Sequence, residues 1–172
     1  EMQKNYAKML LLHKNPYTGT TYAEEPAVAF VEVNNENSLL SSWYLLPKLN
    51  KTHMAYLKGL WTSWLNTHPE AKKGAAGADL IRIIENYSEG ATEKQKEALW
   101  NFLVDTEMSY AKEMTEYFKK DLGIKSLICE SQASYSGNAG IIRESEYSDF
   151  IDMHSYWEHP SFPGRSWSST DW

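Results

Sequence analysis

One run constrains the fold more than any other: Val28-Ala29-Phe30-Val31-Glu32-Val33, which empties into Asn34-Asn35-Glu36-Asn37-Ser38. Much of the remaining chain places apolar side chains at three- and four-residue steps, the period of helices, so this short β-branched and aromatic stretch reads as a buried strand. Pro26 bounds it on one side and the Asn cluster on the other. Glu36 therefore falls just past a strand end, between the amides of Asn35 and Asn37. Those amides can orient a carboxylate and contact a polar ligand. The same residues also suit a capping turn for a helix starting near Ser38, since Asn and Ser are favoured in turns and caps alike.

Around this strand the pattern is helical. Glu1 to His13 predicts a helix whose face of Met2, Tyr6, Met9, Leu10 and His13 packs on the sheet, ended by Asn15-Pro16. From Leu39 to Leu65, Trp43, Leu46, Leu57, Trp61 and Leu65 belong to a periodic set that Pro47 divides into two helices. Lys72-Lys73-Gly74-Ala75-Ala76-Gly77 reads as a flexible link, and Asp79 to Tyr87 as a short helix. The longest element is expected from Glu93 to Leu122, although Thr92 lacks a Glu at the capping-box position, with Gly123 ending it. Its buried face is expected to include Leu99, Phe102, Leu103, Tyr110, Met114 and Phe118.

Two more strand-like runs follow, Ser126 to Cys129 and Phe150 to Met153, separated by a Ser/Gly/Asn-rich loop to Gly140. A strand from Phe150 to His154 would place Asp152 and His154 on one face. They would then line a site or simply satisfy each other and the backbone. The Pro- and Gly-rich tail from His159 to Gly164, with Trp157 and Trp167 beside it, reads as an aromatic loop that could wall a cleft or pack on the surface.

Composition narrows the partners. Net charge is −6, and no basic run appears, which disfavours a nucleic-acid backbone or an anionic membrane. The single Cys129 excludes an internal disulfide, and its apolar neighbours suggest a buried thiol. None of the five His pairs with an acid at metal-ligand spacing, so no metal and no other cofactor is expected. Seven Trp and eleven Tyr suit either a core or sugar stacking.

Three ordered blocks carry a resemblance: Asn35-Glu36 after the Val-rich strand, Asn15-Pro16-Tyr17-Thr18-Gly19 before it, and Asp152-Met153-His154-Ser155-Tyr156-Trp157-Glu158-His159-Pro160 near the end. Together they resemble clan A glycoside hydrolases, the TIM-barrel group that includes the family-five cellulases. The resemblance implies an α/β fold, a partial (β/α)8 barrel covering about strands four to six, with a helical insertion near residues 39–90 in a single catalytic-domain fragment over 1–172. A complete barrel typically needs about 250 residues. It further implies Glu36 as general acid/base, Asn35 on the sugar 2-hydroxyl, and His154, Tyr156 and Trp157 lining the subsite. A retaining mechanism needs a second carboxylate as nucleophile. In the clan that residue follows strand seven, so this chain is expected to lack it and to be inactive alone, with Glu130 and Asp152 only remote substitutes. The expected partner is a poly- or oligosaccharide, and open barrel edges suggest a homo-oligomer. Secretion or a periplasmic location is suggested by the resemblance alone. A noncatalytic carbohydrate-binding or interaction module is the alternative.

Overall fold

A computed structural model describes residues 1–171. The chain is helix-rich, with two short strands that pair in parallel: β1, Phe30–Glu32, against β2, Leu127–Cys129. Phe30, Val31 and Glu32 face Leu127, Ile128 and Cys129 in register. Backbone bonds from Leu127 N–H to Ala29 O, Val33 N–H to Cys129 O and Asn34 N–H to Glu130 O carry the ladder past both ends. The expected first and second strands are therefore present, shortened at their ends.

Between them run helices. Ser38 caps α2, Leu39–Ser42, and a 3₁₀ stretch, Trp43–Lys48, holds Pro47. Asn50 caps α3, Lys51–Thr67, so Pro47 divides this region as expected. The supposed link at Lys72 to Gly77 is mostly helix α4, Pro69–Ala75; the turn is confined to Ala76 and Gly77, both at positive φ. Pro69 at the first turn, good helix formers and a fully buried Ala75 outweigh the single Gly74. Asp79 caps α5, Leu80–Glu85.

The longest helix is α6, Glu93–Glu116, about 36 Å at the usual rise. It continues as a π-helical turn, Tyr117–Asp121. Thr92 does form a capping box, with Gln95 rather than Glu closing it: Gln95 N–H donates to Thr92 Oγ1 and Thr92 N–H to Gln95 Oε1. Two cores share this helix. Its N-terminal half supplies Leu99, Phe102 and Leu103 to a cluster with Leu57, Trp61 and Leu80. Its far end supplies Met114 and Phe118 to a second, with Ile128 of the sheet and Ala7 and Leu11 of α1, Met2–Leu11. Helix α1 turns opposite to expectation. Met2, Tyr6 and Met9 are exposed, and the inner stripe runs Gln3, Ala7, Leu11, because small Ala7 allows close approach to the core.

Two further corrections concern the end of the chain. The Gly-rich loop after β2 contains a 3₁₀ turn, Ala133–Ser136, and helix α7, Asn138–Tyr147. The segment Phe150–Met153 is not a strand. Asp149 and Ser148 take the place of a strand on that edge of β2: Ile128 N–H donates to Asp149 Oδ2 at 2.7 Å, Asp149 N–H donates to Ile128 O at 2.8 Å, and Glu130 N–H donates to Ser148 Oγ at 3.1 Å. No described helix is long and apolar enough to cross a membrane.

Gly140 sits in α7 where a Cβ would lie 2.1 Å from the Ala133 carbonyl oxygen. Gly140→Ala is expected to destabilise the fold by about 2 kcal/mol or more, whereas Gly59→Ala, in α3 with nothing within 4 Å, is expected to stabilise it by about 0.5–1 kcal/mol. Urea denaturation of both variants checks the pair.

Candidate functional site

Side chains along β1 alternate, so Val31 and Val33 join the helical core while Glu32 points to the other face of the sheet. The chain then turns sharply, and Glu36 adopts φ 46°, a left-handed conformation unusual for a residue with a Cβ. That turn brings Glu36 to residues far away in sequence. His154 Nδ1 lies 2.9 Å from Glu36 Oε1, and Gln132 Nε2 donates to the same oxygen at 3.3 Å. Glu36 Oε2 has no hydrogen bond among the described residues, leaving one oxygen held and one available.

Gln132, which no motif or spacing marks, completes the contact to Glu36. It is almost fully buried and also receives His154 N–H on its Oε1, so one amide joins Glu36 to the chain at His154. Ser134 Oγ bonds that same Oε1. The flanking amides proposed to orient Glu36 do something else. Asn35 is exposed, and Asn37 offers its backbone N–H to Ser131 Oγ. Asn34 is the organised amide: it accepts from Gln3 Nε2 and donates to Tyr110 OH at 2.6 Å.

His154 holds the second link. Its Nε2 lies 3.0 Å from Asp152 Oδ2 while Nδ1 faces Glu36. A neutral imidazole has one N–H, so donating to both carboxylates requires the imidazolium. Consistent with that, its pKa is raised, chiefly by the hydrogen bond to Glu36 and further by the charge of Asp152, against partial burial. Glu32 completes the group. Burial, then Asp152, raises its carboxyl above the usual range. Glu32, Asp152 and His154 also offer one ligand atom each within 4.8 Å of one another. A divalent ion could sit there only by displacing the proton from His154, and spacing along the sequence could not reveal a group assembled from β1 and a segment 120 residues later.

Tyr156 and Trp157 are not gathered into this site. Trp157 is 99% exposed, and Tyr156 stacks on His159 with ring centroids 4.4 Å apart. Cys129 is buried, as expected, and burial pushes its thiol up to about 12.

Beneath Glu36 lies a second charged group, centred on Arg143 of α7, which is 1% exposed. Its Nη1 bonds Glu107 of α6, its Nε donates to Glu144 Oε1 at 3.2 Å, and its Nη2 donates to the Ser131 carbonyl at 2.8 Å. Glu107 Oε2 in turn accepts from Ser38 Oγ and from the backbone N–H of Leu39, capping α2 from across the molecule. Glu130, after β2, places Oε2 3.0 Å from Arg143 Nε without a hydrogen bond, since that N–H points to Glu144. Burial pushes the Glu130 carboxyl up to about 7, although Arg143 pulls the other way.

Two titrations follow. His154 is expected to titrate above 6.5 by NMR, and Glu36→Gln to bring it down. With its folded value raised, the stabilisation from His154 is complete below its unfolded pKa and lost as pH rises through the folded one. Glu130 also has a raised folded value, so between pH 4.5 and about 7 only the native state holds its proton, and stability falls by up to roughly 3 kcal/mol across that window. Glu130→Gln is expected to flatten the slope of denaturation free energy against pH there. No family model, curated protein or solved structure matches the chain.

Proposed function

We propose that the chain forms the acid/base half of a retaining glycoside hydrolase acting on a poly- or oligosaccharide, built as part of a (β/α)8 barrel. The arrangement at Glu36 supports this reading most directly. Its carboxyl stands just beyond β1, Oε1 is held by His154 and Gln132, and Oε2 is unpartnered. A general acid needs such a division: one oxygen fixes the group while the other carries the proton to the leaving glycosidic oxygen. Parallel β1 and β2 joined through helices, with α1 and α6 covering one face, fit two adjacent barrel strands. Barrel active sites gather at the strand ends where Glu36 stands.

The nucleophile comes from outside these residues. Asp152 is separated from Glu36 by the imidazole of His154, which fills the space a sugar ring would take between an acid and a nucleophile. Glu130 lines a separate cleft beside Arg143 that takes in neither Glu36 nor His154. Asn35, exposed beside Glu36, remains free to meet a sugar hydroxyl, and His154 holds the acid rather than the sugar.

The protein encoded by the complete gene, assayed on aryl glycosides, tests this. Glu36→Gln is expected to slow hydrolysis by roughly 10²–10⁴-fold for poor leaving groups and far less for a dinitrophenolate, which departs without protonation. Undiminished turnover of the poor leaving groups removes the assignment.

The exposure of Tyr156, Trp157 and Trp167 favours a second reading, a noncatalytic carbohydrate-binding surface. There Trp157→Ala would abolish retention on an insoluble polysaccharide while Glu36→Gln left it unchanged.

A further inference from the structure

On the helical side of the strand ends, between α1, the turn after β1, α2 with its 3₁₀ extension and α6, lies a cleft of about 530 Å³, in the size range of small-molecule sites. It takes in Asn34 and Asn37 but neither Glu36 nor His154, so it is separate from the acid/base group. Its floor is aliphatic, made by Leu39, Leu45, Leu46 and Leu49. Its inner wall is charged, with Glu107, Glu130 and Arg143.

The charges on that wall do not balance. Arg143 is the one cation among Glu107, Glu130 and Glu144, all four buried. Its hydrogen bonds go to Glu107, Glu144, Ser136 and the carbonyls of Ser131 and Gln132. Glu130, 2% exposed, receives only a long contact from Asn34 Nδ2 at 3.5 Å on Oε1 and no hydrogen bond on Oε2. Tyr110 OH, nearby on α6, donates to Gln3 instead. Arg143 Nε lies 3.0 Å from Oε2 but gives it no hydrogen bond; a buried carboxylate oxygen lacking a donor is costly, and the cost falls when a cation supplies one.

We propose that this cleft is a binding site for a small organic cation, an ammonium group on an aliphatic body, with the ammonium meeting Glu130 and the carbon skeleton lying on the leucine floor. An anion would face two excess negative charges. A neutral apolar ligand would leave Glu130 Oε2 without a donor. The raised affinity of Glu130 for a proton has the same origin, so proton and ammonium compete for one place. Glu107 and Tyr110 from α6, Arg143 and Glu144 from α7 and Asn34 after β1 are the groups that face it. This site does not depend on the glycosidase reading.

Cyclohexylammonium chloride and its uncharged counterpart cyclohexanol are the probes, followed by amide NMR on the 172-residue chain at pH 8. The amine is expected to shift the amides of Ser42, Leu45 and Thr106 saturably, at least tenfold more tightly than cyclohexanol, and to weaken as pH falls to 6. Glu130→Gln is expected to remove the preference for the amine, and Leu45→Arg, at a half-open floor position, to block both probes while leaving the titration of His154 unchanged. Shifts that do not saturate, equal affinity for the two probes, or an amine preference intact in Glu130→Gln overturn the proposal. Should Glu130→Gln fail to fold, the probe pair and Leu45→Arg decide it.

Discussion

The buried ion pair between Arg143 and Glu107 ties together three helices and the turn that carries the candidate acid. Arg143 belongs to α7, Glu107 to the middle of α6, and the free oxygen of Glu107 caps α2 through Ser38 and Leu39. Through Nη2, Arg143 also fixes the carbonyl of Ser131, next to Gln132. Gln132 holds Glu36. The position of the candidate acid thus depends, through three links, on a guanidinium almost wholly buried. Such a pair adds little net stability over a well-packed apolar replacement, but breaking it by removing one partner leaves a charge stranded in the interior. The geometry is therefore fixed by the penalty for leaving it.

Helix α6 explains how one chain supports both a helical insertion and a sheet. Its first half packs in a core of Leu, Ile and Trp side chains, its second half against the sheet and α1. Glu107 sits on the buried face between the two cores. A periodic reading of the helix expects an apolar residue there. The polar exception marks the place where α2, α6 and α7 are joined.

What the sequence disclosed was local. The strand at Val28 to Val33, the break at Pro47, the short helix from Asp79 and the stop at Gly123 each rest on a few neighbouring residues, and each appears within a residue or two. The errors share a different cause. Phe150 to Met153 has the composition of a strand, but Asp149 and Ser148 take the hydrogen bonds that would have paired it. Asn35 and Asn37 stand next to Glu36 in sequence, but Asn35 is exposed and Asn37 bonds Ser131 through its backbone. Gln132 reaches Glu36 across 96 positions, and no local pattern encodes such a contact. His154 meets Glu36 through Nδ1 and Asp152 through Nε2, and the Glu36 contact joins positions 118 residues apart that no local pattern pairs.

Glu36 stands at φ 46°, where Cβ crowds the following carbonyl oxygen at a cost of about 1–2 kcal/mol. Glycine would relieve that strain, and asparagine would lessen it. A library of this protein sorted only for heat resistance would therefore drift toward Gly or Asn at position 36, discarding the carboxylate first. Glutamate at position 36 thus holds its carboxylate at the expense of stability that glycine would return to the turn.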